Sequence, residues 1–481
     1  MNWRTILRLL GILLAFYSLG FVPSLAVSLY YGDGEAAHFA EAMALTAVAG
    51  IAVWAPFRRD RGELKVRDGF LVVTLFWAVL GLVGAIPFIL GLHLDLTDAV
   101  FEAVSGFSTT GATVIVGLDK LPPSILYHRQ QIQWLGGMGV VVLALAILPL
   151  LGVGGMQLYR AEASGITKDD KLTPRIAHTA RALWAIYVGL TIACGFAYWL
   201  AGMTPFDAVG HAYATVATAG FSTHDASIAH FASPAIETIC VVFMLLGGVN
   251  FAVHFLVWKR RNPLAYLRDP ETRIFAAIYV LATLFIAASL WLVRQDGGDA
   301  TALRHSAFQV ASVMTSTGFT TADFASWPLH LPMTLVILSF VGGCAGSTAG
   351  GIKVVRIALL AKMGIRQLAV LVHTRSVALI KLGQRRVPEE VVYAVLGYYT
   401  LYIVTALALM TGFLAAGLDM VSSLGAVIAS INLLGPGLGE VASNFAGVSP
   451  TVKWLAVFGM LVGRLEVFPL LVLFTPTFWR H

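Results

Sequence analysis

The sequence predicts an all-α polytopic membrane protein: a leading helix hairpin, then four parallel repeats of helix, re-entrant pore loop and helix around a central ion pore. Three observations carry that prediction. Hydrophobic residues make up 58% of the 481-residue chain and charged residues 12%, a balance outside the range of soluble domains. Apolar stretches near the ~20 residues that cross a bilayer recur along the whole chain, at 5–31, 38–57, 70–92, 130–155, 177–202, 234–258, 274–294, 329–362, 390–417 and 451–475, ten in all. Short words rich in glycine and threonine return at long intervals: "STTGATV" (108–114), "TAGFST" (218–223), "TSTGFTT" (315–321) and, less closely, "NLLGPGLGE" (432–440).

The leading hairpin, 1–60, comes from the first two stretches. Arg4 and Arg8 precede apolar residues as in a secretion signal, but the apolar part is longer than a signal core and lacks a clear cleavage site, so it reads as a spanning helix. With ten crossings, the N-terminus, 58–67, 160–181, 259–273, 353–386 and Arg480 all fall on one side, and together they hold 26 of the 32 lysines and arginines. Positive residues favour the cytoplasmic face, which puts both termini inside and makes the net charge of +6 a report of topology rather than of a nucleic-acid partner. Cys194, Cys240 and Cys344 are widely spaced without a Cys-x-x-Cys pair, so neither a disulfide framework nor a metal site is expected. His178, His211, His224 and His254 match no helical metal spacing and are assigned to packing or loop roles.

Aligning the glycines of the recurring words exposes the repeat. Gly111, Gly220, Gly318 and Gly435 are separated by 109, 98 and 117 residues. Each follows a segment too short to span, 98–108, 207–217, 305–315 and 423–433, which reads as a re-entrant helix. Asp98 and Asp207, 13 residues before their glycines, are placed to cap the first two of these. The span after each loop carries small residues that allow close packing: Gly136 and Gly137, Gly247 and Gly248, Gly342 and Gly343, Gly459 and Gly463. The expected units are 61–160, 161–262, 263–386 and 387–481; each starts and ends inside, so all four share one orientation and surround an axis.

Non-helical backbone at membrane depth is tolerated where it is buried in protein or lines water. A helix entering from outside brings its C-terminal end, with about half a negative charge, to mid-membrane. Four such ends, with rings of loop carbonyls, replace the hydration shell of a monovalent cation. The expected lining is the backbone of Thr109, Thr110 and Gly111, of Thr218, Ala219 and Gly220, of Thr317 and Gly318, and of Leu434 and Gly435. Asp98, Asp207, Asp225, Asp323, Asp419 and Glu440 are expected outside near the mouth, where they concentrate cations, although each taken singly reads as a cap or a solvated loop residue.

Two features lie below that ring. "GGCAGSTAGG" (342–351) follows only about a dozen apolar residues, and its five glycines break the third unit's last span inside the membrane. Arg464 lies 11 residues into a span that begins near Lys453, roughly 16 Å deep at 1.5 Å per residue. Arginine there must face the interior and find a partner. Glu466 is two positions along, the wrong face of a helix, which leaves the carbonyl-rich loop 342–351 as the alternative.

The four loop words, in this order and spacing, resemble the pore loops of the Trk/Ktr/HKT superfamily of potassium transporters, and the extra leading hairpin is similar to its TrkH branch over essentially the full length. The resemblance implies a potassium-uptake, channel-like transporter of the bacterial inner membrane, with the filter glycines at Gly111, Gly220, Gly318 and Gly435. Sodium-selective members often carry serine at the first of these; glycine stands here. It further implies that Gly346, Ser347, Thr348, Ala349 and Gly350 form an intramembrane gate with Arg464 as a barrier below the filter. It also implies a homodimer and a cytosolic nucleotide-binding regulatory ring of the TrkA type. Pro436 replaces the Phe of loops two and three and makes the fourth loop the least symmetrical. The chain has no Walker or Rossmann glycine pattern after a strand, so it needs no organic cofactor, and no nucleophile or metal constellation marks an intramembrane enzyme. A sodium-permeable or proton-coupled cation transporter is the nearest competing reading. An organic-solute secondary transporter is a further one, but would show inverted repeats instead of parallel units.

Overall fold

The computed structural model describes residues 1–60, 62, 65–146, 176–293, 299–328, 330–373, 379–383 and 385–480. The end of the fourth predicted span (147–155), the basic segment 160–175, the expected boundary at 160/161 and residues 374–377 lie outside them. The leading hairpin is a helix Trp3–Tyr17 that runs through a 3₁₀ turn, Ser18–Phe21, into Val22–Tyr31, and a return helix Ala36–Trp54. Gly32, at φ 66°, turns the corner in the left-handed region that glycine adopts freely. The two arms cross where Gly11 meets Gly50: a Cβ on Gly11 would lie 2.7 Å from the Gly50 carbonyl oxygen. The absence of side chains there lets the backbones touch.

Six described helices are long and apolar enough to cross a membrane, or eight if each of two bent pairs counts as one span. The fourth predicted stretch corresponds to Pro123–Ala146, and the eighth is broken after His330–Val341. The long helices wear their apolar residues outward. Phe16, Ile192, Leu200, Leu281, Leu292 and Leu407 are all more than half exposed, as suits lipid contact.

Between the long helices lie four short ones: Leu96–Phe107, Pro205–Val216, Asp299–Met314 and Met420–Ile431. Twelve residues rise about 18 Å, half a bilayer. Every residue from Ala99 to Phe107 is buried, so these helices occupy the centre and the long ones the rim. The capping residues differ from those expected. Asp95 accepts the Asp98 N–H and Thr204 Oγ1 accepts the Asp207 N–H, so Asp98 and Asp207 sit in the first turn rather than at the cap. An N-cap oxygen reaches the N–H three residues on, and a 13-residue spacing counted back from the glycine landed on that donor. In the fourth repeat Asp419 does cap its helix.

The expected break in the third unit is present: His330–Val341 ends, 342–353 is non-helical, and Val354–Val372 resumes. The second and fourth units also break at the matching place, by 99° between Pro234–Gly248 and Phe251–Arg260 and by 113° between Pro450–Arg464 and Phe468–Phe474. A two-residue antiparallel pair, Lys381–Leu382 with Arg385–Arg386, is the strand structure among the described residues.

Candidate functional site

Each short helix ends in the same way. The N–H groups of Thr110, Ala219, Thr317 and Leu434 reach back five residues to the carbonyls of Ser105, Ala214, Ser312 and Ala429 at 2.9, 2.9, 2.8 and 3.1 Å. That bond is the signature of a helix closed by a left-handed residue. The residue at the left-handed position is Thr109, Thr218, Ser316 and Leu433, at φ 56°, 50°, 53° and 58°. Holding a side chain there costs about 1–2 kcal/mol per position. Two residues later come the four glycines, at φ 80°, 80°, 80° and 87°.

The glycines form a closed ring. A Cβ on Gly111 would overlap the carbonyl oxygen of Ala219, one on Gly220 that of Thr317, and one on Gly318 that of Leu434; one on Gly435 would lie 2.7 Å from that of Thr110. Each loop therefore presents the carbonyl before its glycine to the glycine of the preceding loop, and the fourth closes on the first. The sequence-predicted residues Thr109 to Gly111, Thr218 to Gly220, Thr317, Gly318, Leu434 and Gly435 are thus brought to one axis.

The ring is not fourfold in its side chains. Ser108 and Thr110 share a hydroxyl hydrogen bond of 2.7 Å, and Thr315 and Thr317 another of 2.7 Å. Loop two has Ala217 and Ala219 in those places. Loop four has Asn432, which accepts from the Tyr402 hydroxyl and donates to Ser339 Oγ at 2.8 Å, and the apolar Leu434. Pro436 Cδ crowds Gly318 from the same side.

A second layer braces the ring. Gln133 donates to the Ala219 carbonyl at 2.7 Å and accepts the Phe221 N–H at 3.1 Å, tying a helix of the first unit to the loop of the second. Arg129, 1% exposed, pairs with the fully buried Glu102 at 2.8 Å and donates to the Ser222 carbonyl at 3.1 Å. Glu102 also accepts from Thr113 Oγ1 and the Val114 N–H, each at 3.0 Å. A buried charge pair is tolerated when its remaining hydrogen-bonding positions are filled, as they are here.

Beneath the helix side of the ring lies the loop 342–353. Thr348 is its hub. Its hydroxyl lies 3.1 Å from the Val216 carbonyl and 3.2 Å from that of Gly247, and it accepts from Thr218 Oγ1 at 3.1 Å. Gly350 N–H donates to Ser316 Oγ, and a Cβ on Gly350 would overlap the Asn432 carbonyl and come within 3.0 Å of Leu433. Three of the four left-handed residues thus touch this loop, while the Thr109 hydroxyl is buried without a hydrogen-bond partner among the described residues.

Arg464, 5% exposed at the end of its helix, supplies the fourth connection. Its Nη1 donates to the Thr348 carbonyl at 3.1 Å and its Nη2 to the Gly136 carbonyl at 3.0 Å, with the guanidinium 5.3 Å from the Trp77 ring centre. Carbonyls and the negative end of a helix meet the charge. Glu466 turns away to Arg356 at 2.5 Å. Gly346 lies against Asn250, and Ser347 Oγ donates to the Cys344 carbonyl at 2.6 Å. Ala349 accepts from Lys353 Nζ. Glu271, not singled out in the sequence, holds both ends of the loop: its Oε1 accepts the N–H groups of Ala345 at 2.8 Å and Val355 at 3.3 Å.

The acidic residues of the opposite mouth are mostly engaged. Asp98 pairs with Lys453 at 2.5 Å, Asp207 accepts from Thr204 and Thr223, Asp225 accepts the N–H groups of Gly117 and Leu118, Asp323 caps a 3₁₀ turn and Asp419 caps its helix. The Glu440 N–H donates to Ser422 Oγ at 2.9 Å. His211 packs between the Asp207 carbonyl and Ser222, and His254 between Tyr266 and the Leu246 carbonyl, the packing roles expected of them; the His178 side chain lies outside the described residues. His224, assigned to a loop role, stacks on His230 beside Asp119. The three cysteines are buried and free.

Residues 35–480 match the TrkH family, described as cation transport proteins. The Trk system potassium uptake protein TrkH of Escherichia coli K12 is 50% identical over 483 residues, covering all of both chains. The TrkG protein of the same system and organism is 38% identical over 479 residues, covering 99% of each. The crystal structure of the potassium transporter TrkH from Vibrio parahaemolyticus superposes with a TM-score of 0.93 at 48% identity, covering all of both chains.

Proposed function

The chain belongs to the TrkH family of cation transport proteins, and from that premise we propose that it takes up potassium through the ring of four loops. The observation that carries the proposal is ring closure: each glycine packs on the preceding carbonyl of the next loop, and the fourth returns to the first. Carbonyls so placed substitute for water around a dehydrated monovalent cation, and the four helix C-termini add partial negative charge. Thr109 to Gly111, Thr218 to Gly220, Thr317, Gly318, Leu434 and Gly435 supply the backbone. Potassium enters down the membrane potential, gaining about 2.3 kcal/mol per 100 mV. Binding and passage need no covalent chemistry from the chain.

Gly346 to Gly350 act as the gate, and Arg464 as its latch and as a positive barrier. The contacts of Thr348 and Gly350 with the second, third and fourth units, and the link from Thr348 through Arg464 to Gly136 of the first, support this, because a loop tied to all four units is placed to affect conduction. The 26 basic residues expected on one side support a cytoplasmic position for that side and for both termini; the membrane is taken as a bacterial inner membrane by the family resemblance. On that side the exposed Lys362, the half-buried Arg366 paired with Glu389, and the strand pair Lys381–Leu382 with Arg385–Arg386 offer a surface for a TrkA-type regulatory ring, with the transporter as a homodimer.

The test is rubidium uptake into proteoliposomes loaded with potassium, with sodium and lithium as competitors. Block by potassium and indifference to sodium is expected. Equal block by sodium would move the reading to a sodium-permeable cation transporter, which the apolar Leu434 and Pro436 of the fourth loop make the foremost alternative. No ion-dependent flux from folded protein would sink it.

A further inference from the structure

Among the described residues, one cluster on the mouth side has the composition of a transition-metal site: Asp119, His224 and His230. Asp119 lies on the 3₁₀ turn Leu118–Lys120 that follows the first loop, His224 lies four residues past Gly220, and His230 lies on the turn Ser227–Phe231. Their ligand atoms lie within 4.8 Å of one another. The two imidazoles are stacked with centroids 3.4 Å apart and planes inclined by 3°, and a His224 nitrogen is 2.5 Å from an Asp119 oxygen. The other His224 nitrogen, Nε2, has no hydrogen-bond partner among the described residues and lies 3.5 Å from Asp207 Oδ1.

We propose that Asp119, His224 and His230 form an outer-mouth site for a divalent transition metal of the zinc type, bridging the first and second loops and slowing potassium entry when occupied. Two imidazoles and one carboxylate are the donor set of three-residue zinc sites that keep a fourth position for water. The frame is fixed from behind. Both Asp225 oxygens accept N–H groups of the other loop, at 3.1 Å from Gly117 and 3.1 Å from Leu118, and Asp119 Oδ2 accepts the Asp225 N–H at 3.4 Å.

The empty arrangement is close to, but not yet, a coordination shell. Bonds of about 2.0–2.1 Å set tetrahedral ligand separations near 3.3 Å, so no pair need close by more than about 1.5 Å. A metal also lies in the plane of each imidazole it binds, so His230 tilts out of the stack. His230 and Asp119 are exposed, so these are side-chain rotations on a rigid backbone.

The proposal rests on the potassium pathway through the four loops for its functional consequence, but not for binding. His224 is four residues from Gly220, at most about 14 Å of extended chain. A charge of +2 at that distance lowers the local concentration of a monovalent cation by about three- to sevenfold, between a bulk-water dielectric and half of it, before salt screening.

The direct test is calorimetric titration of the purified, metal-stripped full chain with zinc chloride, together with the visible spectrum of the cobalt-loaded protein. Wild type is expected to bind one zinc per chain and to show the intense cobalt bands of a tetrahedral site; His230→Gln and Asp119→Asn, both with unchanged melting temperature, should lose both signals. The flux arm, run at about 10 mM ionic strength where screening is weak, asks whether zinc slows rubidium uptake about twofold or more in wild type and less in the two variants. Wild-type binding with no effect on flux would retain the metal site and overturn its proposed control of entry. Zinc heats identical in wild type and both variants, or no cobalt spectrum, would overturn the site itself, whatever the transporter conducts.

Discussion

Removing the Arg464 guanidinium tests the proposed gate most sharply, because that one group joins the loop to the fourth and first units. Arg464→Ala deletes the donors to the Thr348 and Gly136 carbonyls, at 3.1 and 3.0 Å. Hydrogen bonds from a charged group contribute about 1.5–3 kcal/mol each. Water taking the place of the guanidinium recovers part of each bond, so about half of the total, roughly 1.5–3 kcal/mol, is the expected loss to the proposed closed arrangement. At 1.4 kcal/mol per decade that shifts the open-to-closed ratio by about ten- to a hundredfold. Loss of the buried positive charge adds to the flux by removing a barrier to cations. The assay is initial rubidium uptake into proteoliposomes without a regulatory subunit, at matched incorporation. Arg464→Lys keeps the charge but not the two-pronged geometry, and should fall between wild type and Arg464→Ala. Wild-type flux from Arg464→Ala with an unchanged melting temperature would refute the latch.

Glu271→Gln weakens the two N–H bonds that pin the loop ends at 345 and 355, and should raise basal rubidium flux about fivefold while leaving potassium-over-sodium preference unchanged; a change in preference instead would place Glu271 with the filter. Gly220→Ser puts a side chain at φ 80° against the Thr317 carbonyl. It should lower the potassium-to-sodium permeability ratio about five- to thirtyfold, as ~1–2 kcal/mol of strain is expressed at the ion site; an unchanged ratio argues against the ring as filter. At the outer loop, burial pushes the Asp33 carboxyl up, but hydrogen bonds from Ser28, Ser124 and Glu35 outweigh it and hold it below its ordinary 3.8. A depressed carboxyl stabilises the fold above its unfolded pKa and loses that contribution as pH falls through the folded value. Melting temperatures measured from pH 6 to pH 3 should therefore fall more for wild type than for Asp33→Asn, and parallel curves would remove Asp33 from the account.

Much of this was legible because it follows from periodicity. The glycines at 111, 220, 318 and 435 declared themselves by spacing, and the Arg464 partner by exclusion, since Glu466 sat on the wrong face and indeed pairs with Arg356. What was missed depends on contacts between units. Gln133 and the Arg129–Glu102 pair brace the ring, and the polar run "HRQQIQW" (128–134) at the head of an apolar stretch was the available signal. Such a run is costly in lipid unless it faces the interior. The bends after Gly248 and Arg464 were hidden because neither carries a glycine cluster; the fourth turns instead through Glu466 and Val467, at φ 53° and 65°. The cluster of Asp119, His224 and His230 joins residues more than a hundred positions apart, which no helical spacing reveals.

Why the proposed gate falls in the third unit follows from comparing the breaks. All three sit at the level of the left-handed residues, but they differ in length. Those after Gly248 and Arg464 span two or three residues and let the next helix begin at once. The third spans the 12 residues 342–353, enough to cross the axis and meet the undersides of the other loops. Its backbone has left-handed glycines at 342, 346 and 351, so its resting shape lacks a helical ladder and is held by side chains outside it: Ser316 and Glu271 of its own unit, Thr218 of the second and Arg464 of the fourth. A segment held from outside in this way has few bonds of its own to lose when it moves. The short breaks in the second and fourth units, by contrast, supply fixed partners, the Gly247 and Gly248 carbonyls and Arg464 itself, against which that movement is defined.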